Sequence, residues 1–211
     1  MAHSEQKSRL CKKSIDRSEF RGYIKNPLCR KSGDRTRRKM IYLLRHFKVI
    51  DESEVMMNSE RFDSWVYDYD RYELEYTDLL FPMVDTIYCS TMQRCISSAD
   101  YFQSDRIMSD ELIEVVSKAA FKTRIKFPKS FWLLIDRILW YFNMSKHENR
   151  CDTIQRADKF IDTLDTSKDI LVISHGLFLN VLYQRLKLRG YHGNIGLAMK
   201  NAHIYKLEGA K

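Results

Sequence analysis

The sequence predicts an α/β domain with a mainly parallel sheet sandwiched between helices. Three short apolar runs end in polar residues, and segments with helical spacing lie between those runs. Such an alternation of strands and helices is typical of a three-layer α/β/α sandwich whose parallel strands are joined by right-handed crossovers. Because ligands of such sheets bind where the carboxyl ends of the strands meet, we expect a functional site at that edge.

The three predicted strands are short runs of β-forming, apolar residues. They span residues 41–44, 86–90 and 169–174. Arg45 and His46 follow the first run directly, and His175 follows the third. Continuous apolar runs of this length indicate strands that are buried on both faces. Helical spacing predicts helices over residues 71–81, 91–102, 129–142, 152–164 and 176–188.

The basic charge of the chain is concentrated at its start. Residues 1–40 carry thirteen Lys or Arg and four Asp or Glu, a net charge of +9, whereas residues 41–211 have a net charge of −1. Because this segment has few apolar residues, we expect residues 1–39 to form a basic, flexible N-terminal extension. Such an extension can contact a nucleic acid or an anionic membrane surface. Residues 40–211 are predicted to form the folded domain.

The cysteines argue against both a disulfide framework and a metal cluster. The chain has five of them, an odd number, and no Cys-X-X-Cys pair. We interpret them as reduced thiols and expect a cytoplasmic protein without a metal site. We expect neither a membrane-spanning helix nor a secretory signal, because no apolar segment has the required length and flanks.

Four arginine and histidine side chains are predicted to meet at one edge of the sheet. Arg45, His46 and His175 directly follow strands, and Arg94 lies shortly after the second strand. Arginine offers a fork of donors that matches phosphoryl oxygens and keeps its charge. A neutral histidine can attack phosphorus, and a second, protonated histidine can steady the oxygens in the transition state. For any one of these residues alone, a salt-bridged arginine or a structural histidine is the alternative.

Four short motifs follow one another in a characteristic order from residue 41 nearly to the end of the chain. They are a strand ending in Arg45-His46, a strand ending in Ser90 with Arg94 on the next helix, a Leu-X-Glu triplet at residues 112–114, and a strand ending in Ser174-His175-Gly176. This order resembles the histidine phosphatase superfamily, which has the phosphoglycerate-mutase-like fold. Two further features match the family's pattern less closely: Glu148, eight residues before Arg156, and Asn201 before a terminal strand.

The resemblance implies a phosphomonoester hydrolase that needs no metal and no organic cofactor. It implies that His46 is the nucleophile and forms a phosphohistidine. It also implies that Arg45, Arg94 and His175 bind the phosphoryl group, that His175 belongs to the catalytic set, and that Glu114 donates a proton to the leaving oxygen. The implied substrate is a phosphorylated small molecule or a phosphoprotein.

Three features leave alternatives open. Phe47 stands where the family usually has glycine, and its ring could narrow the pocket or point into the core. Glu111, three residues before Glu114, is a second candidate for the acid. The apolar stretch 131–142 is predicted either to line a greasy entrance or to pack in the core or a dimer interface. Because of Phe47 and the acid segment, the alternative function is a catalytically weak or inactive phosphate-binding scaffold with a basic arm for an anionic partner.

Overall fold

The computed structural model describes residues 40–196 and 198–209, so the predicted basic extension, residues 1–39, lies outside the described residues. The described part contains ten strands and five α-helices. The strands are β1 (Met40–Arg45), β2 (Lys48–Val49), β3 (Met56–Met57), β4 (Leu74–Glu75), β5 (Thr86–Ser90), β6 (Arg106–Ser109), β7 (Phe127–Pro128), β8 (Ile170–Ser174), β9 (Tyr191–His192) and β10 (Ile204–Gly209). The helices are α1 (Ser59–Tyr69), α2 (Gln93–Asp100), α3 (Lys129–Tyr141), α4 (Arg150–Asp162) and α5 (Gly176–Leu188).

Six strands form the central sheet, in the order β6-β5-β8-β1-β10-β9. The first four of these are parallel to one another, and β10 and β9 add an antiparallel edge. In the register of β1 and β8, Arg45 is the partner of Ser174, and Cys89 of β5 pairs with Ile173. The carboxyl ends of the three strands predicted from the sequence therefore lie side by side, as expected.

Both faces of this sheet are covered by helices. Ile41 and Leu43 of β1 belong to a cluster with Phe160 of α4 and Phe178 of α5. On the opposite face, residues such as Leu44 belong to a second cluster that includes residues of α2. Successive residues of a strand point to opposite faces, so a strand that is covered on both sides reads as a continuous apolar run. The predicted three-layer α/β/α sandwich with a mainly parallel sheet is confirmed.

One predicted helix is wrong. Residues 71–81 were expected to be helical, but they contain only the short strand β4 and otherwise form turn and irregular chain. The chain is held there by long-range contacts: Tyr76 packs against Phe47, and the hydroxyl of Tyr101 accepts a hydrogen bond from the amide of Leu79. The helix in this region is α1, which begins after the N-cap Asn58. The other four predicted helices are confirmed, with ends that differ by a few residues.

The apolar stretch 131–142 forms most of α3 and the residue after it. Trp132 and Trp140 are buried, and their indole N–H groups donate to the carbonyl of Met57 and the hydroxyl of Thr153. The prediction of a core helix is therefore confirmed for these two side chains, and neither of them lines an entrance. Among the described residues, no helix combines the length and the apolar character that crossing a membrane requires.

Candidate active site

The sheet edge brings the predicted residues together around the end of β1. The amide of His46 donates to the carbonyl of Ser174, and the side chain of Asn201 donates to the carbonyl of His46. The rings of His46 and His175 have centroids 5.3 Å apart. The convergence of the two histidines that strand order predicts is therefore present. Asn201, which matches the family pattern near the end of the chain, holds the backbone at His46.

His46 is a neutral imidazole with one nitrogen available for chemistry. Its Nδ1 lies 2.7 Å from the carbonyl oxygen of Phe47. Since a carbonyl only accepts hydrogen bonds, we assign the proton to Nδ1, and Nε2 then carries the lone pair. Burial, together with the charges of Arg94 and Arg45, lowers the pKa of His46 to about 3. The ring therefore stays uncharged, as a nucleophile at phosphorus must be.

Arg45 presents a guanidinium that the protein only partly occupies. Its Nη1 donates to the carbonyl of Met199 at 2.9 Å. Its Nε is buried and has no hydrogen-bond partner within the part of the chain that the structure describes. A Cβ at Gly176 would lie 3.2 Å from the guanidinium carbon of Arg45, so glycine at this helix start leaves the room that Arg45 occupies. A buried N–H donor without a partner destabilises the folded state unless a ligand accepts its hydrogen bond.

Arg94, near the start of α2, is held by two partners. Its Nε donates to Nδ1 of His175 at 3.1 Å, and its Nη1 donates to Oδ1 of Asp70 at 2.9 Å. The Arg94 side chain is only 7% exposed, and its contact with the partly exposed Asp70 is charge-assisted. For Nη2, the contact recorded among the described residues is a weak one, 3.7 Å from the sulfur of Met92.

His175 lies behind Arg94, and none of its surface is exposed. Because Nδ1 accepts from Arg94, the proton belongs on Nε2, which lies 3.0 Å from the hydroxyl of Ser90. Burial and the charge of Arg94 hold the pKa of His175 well below its usual value. The hydrogen bond from Arg94 and the lowered pKa indicate a neutral His175, and not the protonated second histidine that phosphoryl chemistry at this edge could use. Its predicted direct contact with a phosphoryl group stays a prediction.

Glu114 and Glu111 occupy different surroundings. Oε1 of Glu114 accepts the backbone N–H groups of Val115 and Phe178, and its Oε2 accepts that of Leu177 at 3.4 Å. Glu114 thus sits at the start of α5 and borders the cavity that His46 lines. Glu111 instead forms an ion pair with Lys159. Geometry favours Glu114 over Glu111 as the candidate acid.

The segment that carries Glu114 is fixed from two sides. Nη1 of Arg156 donates to the carbonyls of Glu111 and Ile113, each at 2.8 Å. Nη2 of the same guanidinium binds the carboxylate of Glu148 at 2.7 Å. The pair of Glu148 and Arg156, noted in the sequence for its spacing, therefore anchors the acid segment.

A single cavity of about 810 Å³ is lined by Arg45, His46, Arg94 and Glu114. Its other walls include Trp65, Tyr69 and Met92, so the space beyond the two arginines is partly aromatic and apolar. From α3 the lining includes Leu133 and Arg137. The cavity is far larger than one phosphoryl group and lies within the usual size range of small-molecule sites.

Phe47 does not line this cavity. Its side chain is fully buried, and its ring packs 4.9 Å from Tyr76 and 5.2 Å from Tyr101. Its amide donates to the hydroxyl of Ser98. Of the two alternatives for this residue, the structure selects the ring that points into the core.

Asp70 and Tyr69 belong to the site and were missed in the sequence. The carboxylate of Asp70 contacts Arg94, and the Tyr69 ring lies 5.6 Å from the guanidinium carbon of Arg94. Neither residue has a local signal, because each contact depends on where the end of α1 meets the start of α2. Among the described residues, no group of three or more His, Cys, Asp or Glu is arranged to hold a metal ion.

Comparison with known proteins gives the family. The sequence model of the histidine phosphatase superfamily (branch 1) matches residues 82–211, which is more than half of the chain. The protein belongs to this superfamily, and its α/β fold is of the phosphoglycerate-mutase-like class. The matched residues include Arg94, Glu114 and His175, whereas Arg45 and His46 precede them and join the site through the fold. No curated protein matches the chain.

Three solved structures illustrate the similarity. The product of an open reading frame of Mycobacterium tuberculosis is 16% identical, with 81% of this chain and 91% of that chain covered and a TM-score of 0.47. A mycobacterial glucosyl-3-phosphoglycerate phosphatase is 14% identical, with coverages of 82% and 91% and a TM-score of 0.46. A mycobacterial protein described as hydrolase 1 is 13% identical, with coverages of 82% and 90% and a TM-score of 0.47.

Proposed function

We propose that the protein hydrolyses phosphomonoesters through a phosphohistidine formed on His46. The observation that carries this proposal is the hydrogen bond from Nδ1 of His46 to the carbonyl of Phe47, which leaves the Nε2 lone pair free. His46 shares its cavity with Arg45 and Arg94, which supply positive charge for a dianionic group. The proposal goes beyond family membership, because the family supports phosphatase activity only in general.

In the first half of the reaction, Nε2 of His46 attacks phosphorus and the bond from phosphorus to the ester oxygen breaks. Arg45 and Arg94 neutralise charge on the phosphoryl oxygens as it spreads in the transition state. Glu114, protonated at this stage, gives its proton to the departing oxygen, which leaves as an alcohol. The oxygen Oε2, with one long hydrogen bond, is better placed to carry that proton than Oε1, which accepts two.

In the second half, water attacks the phosphohistidine and gives inorganic phosphate. The carboxylate of Glu114 takes a proton from the water as the bond from Nε2 to phosphorus breaks. His46 and protonated Glu114 are thereby restored. His175 contributes by holding Arg94, and a direct contact of His175 with the phosphoryl group would require its bond with Arg94 to open.

The proposed substrate is a phosphorylated small molecule or a phosphoprotein side chain. The partly aromatic walls of the cavity suit a leaving group that is larger than a simple sugar fragment. We propose a cytoplasmic location, which the free thiols of Cys89, Cys95 and Cys151 support. Contact of residues 1–39 with a nucleic acid or an anionic membrane stays a prediction.

The experiment is hydrolysis of p-nitrophenyl phosphate by the full chain and by two variants. His46→Gln keeps a side-chain N–H for the Phe47 carbonyl but removes the nucleophile, so we expect the rate to fall at least about 1000-fold. His203→Gln, at an exposed position, should keep the parent rate. Quenched parent protein should carry phosphate in an acid-labile, base-stable linkage, and His46→Gln should carry none.

The alternative function predicts a different pattern. A phosphate-binding scaffold would show saturable binding of inorganic phosphate without turnover of any ester, and His46→Gln would change nothing measurable in hydrolysis. Such a result from correctly folded parent protein would rule out the hydrolase. Turnover that survives in His46→Gln would rule out the phosphohistidine.

A further inference from the structure

The orientation of Arg94 depends on a carboxylate that the proposed reaction does not itself use. Of the three guanidinium nitrogens, Nε is bound by His175 and Nη1 by Asp70. Nη2 is left with only the weak sulfur contact among the described residues. Nη2 is therefore the nitrogen of Arg94 that an anion can bind without displacing His175 or Asp70.

Asp70 connects two helices at this point. It is the C-cap residue of α1, and its carboxylate oxygens accept the backbone N–H groups of Gln93 and Arg94 at 2.9 and 3.4 Å. These are the first N–H groups of α2, whose own N-cap residue, Met92, makes no side-chain cap bond. One carboxylate therefore caps α2 and also binds the Arg94 side chain, so the guanidinium and its helix are fixed relative to each other.

The negative charge of the Asp70 carboxylate also weakens the binding of an anionic ligand. Asp70 is partly exposed and lines the cavity with Arg94. A fixed negative charge beside a phosphoryl site repels a dianion, and it also competes with the dianion for Nη1. If position 70 served only to increase phosphate affinity, an acidic residue would be unfavourable there. The contact makes sense if the correct placement of Arg94 matters more than tight binding of the ground state.

We propose that Asp70 is a positioning residue, which holds Arg94 so that Nη2 meets the phosphoryl group, at the expense of weaker binding of phosphate anions. This inference rests on the proposed function for its effect on turnover, whereas its effect on anion binding is independent of turnover. It predicts that removing the charge at Asp70 has opposite effects on phosphate affinity and on kcat: the affinity rises and kcat falls.

The test measures kcat and KM for p-nitrophenyl phosphate and the Kd of inorganic phosphate in three variants and the parent. Asp70→Asn keeps an oxygen for the α2 N–H groups but loses the charge. We expect it to bind phosphate at least about 5-fold more tightly, because a repelling charge is gone. We expect its kcat to fall about 10-fold or more, because Arg94 is no longer held in place.

Asp70→Glu separates charge from position. The charge is retained, so phosphate affinity should stay within about 2-fold of the parent, while the longer side chain displaces Arg94 and lowers kcat. Asp68→Asn is the matched control, because it removes the same charge two residues earlier on α1, at a residue that does not line the cavity. It should behave as the parent in kcat, KM and Kd.

The inference would be overturned by an Asp70→Asn variant with unchanged kcat, or by one that binds phosphate more weakly than the parent. A purely structural role would lower the midpoint of urea unfolding and weaken both properties together, and that too would count against it. If the parent itself hydrolyses nothing, the proposed function fails. In that case the phosphate Kd of Asp70→Asn still tests whether the Asp70 charge opposes anion binding.

Discussion

Phe47 shows how adjacent residues at the end of a strand divide between the site and the core. His46 borders the cavity, while the ring of Phe47 is fully buried between Tyr76 and Tyr101. The bulky residue in place of the usual glycine therefore leaves the cavity open. The ring instead packs against Tyr76, which directly follows β4.

This arrangement predicts a loss of stability for Phe47→Ala. Truncating a fully buried phenylalanine removes apolar contacts and leaves a cavity, which costs about 3 to 5 kcal/mol in the free energy of unfolding. Urea unfolding followed by circular dichroism would measure it. Phe142→Ala is the control, because Phe142 is 65% exposed, and its change should stay within about 0.5 kcal/mol. A loss of less than 1 kcal/mol at Phe47, by the same measurement, would mean that the ring is not a core contact.

At the scale of elements, α1 was readable from the sequence and was nevertheless missed. Asn58 accepts a hydrogen bond from the amide of Arg61, as an N-cap residue does. Phe62 and Trp65 then follow at helical spacing and are buried. Residues 71–81 have comparable spacing but form no helix, because their side chains bind to partners distant in the chain. Helical spacing of apolar residues is only a weak predictor of a helix, because tertiary contacts can impose a different backbone conformation.

The short segment around residues 110–114 gives its two glutamates, Glu111 and Glu114, different surroundings. The 3-10 turn Asp110–Leu112 and the residues after it direct Glu111 toward Lys159 and Glu114 toward the start of α5. Arg156 holds the carbonyls between them, and the hydroxyl of Ser174 donates to the carbonyl of Leu112. The position of Glu114 beside the cavity is thus fixed by both β8 and α4.

This geometry predicts that Glu114→Gln slows the hydrolysis of alkyl phosphates more than that of p-nitrophenyl phosphate. An alkoxide needs a proton to leave, whereas p-nitrophenolate leaves without one. We expect a loss of about 100-fold or more in kcat for the alkyl ester and a much smaller loss for the aryl ester. Glu111→Gln is the matched control and should affect both esters equally and weakly. Equal losses for the two esters in Glu114→Gln would exclude a proton-donor role.

At the scale of the whole molecule, folding buries two neutral histidines beside two arginines. The pKa of His46 is lowered to about 3, and that of His175 is also lowered, with burial as the largest cause in both. The folded state therefore binds fewer protons than the unfolded state between about pH 3 and the ordinary histidine pKa of about 6.5. Their contribution to stability is complete above that pKa and is lost as the pH falls.

We therefore expect acidification to destabilise the parent more than His46→Gln. Between pH 7 and pH 4.5, the parent should lose about 2 to 3 kcal/mol of unfolding free energy that the variant does not lose. Urea unfolding of both proteins at the two pH values gives the difference, in which contributions from groups that do not interact with His46 cancel. A parent and a variant with parallel pH dependence would contradict a buried, neutral His46.

The sequence by itself determined the parallel strands and the order of the motifs, because strands covered on both faces must be apolar throughout and the polar residues at their ends must gather at one edge. The strand order thereby predicted that Arg45, His46, Arg94 and His175 gather at one site, and the family resemblance added Glu114. Only the tertiary structure decided that Phe47 faces the core, that His175 is neutral behind Arg94, and that Asp70 binds Arg94. These outcomes depend on contacts between segments far apart in the chain, where burial and neighbouring charges set protonation and orientation, and no local pattern records them.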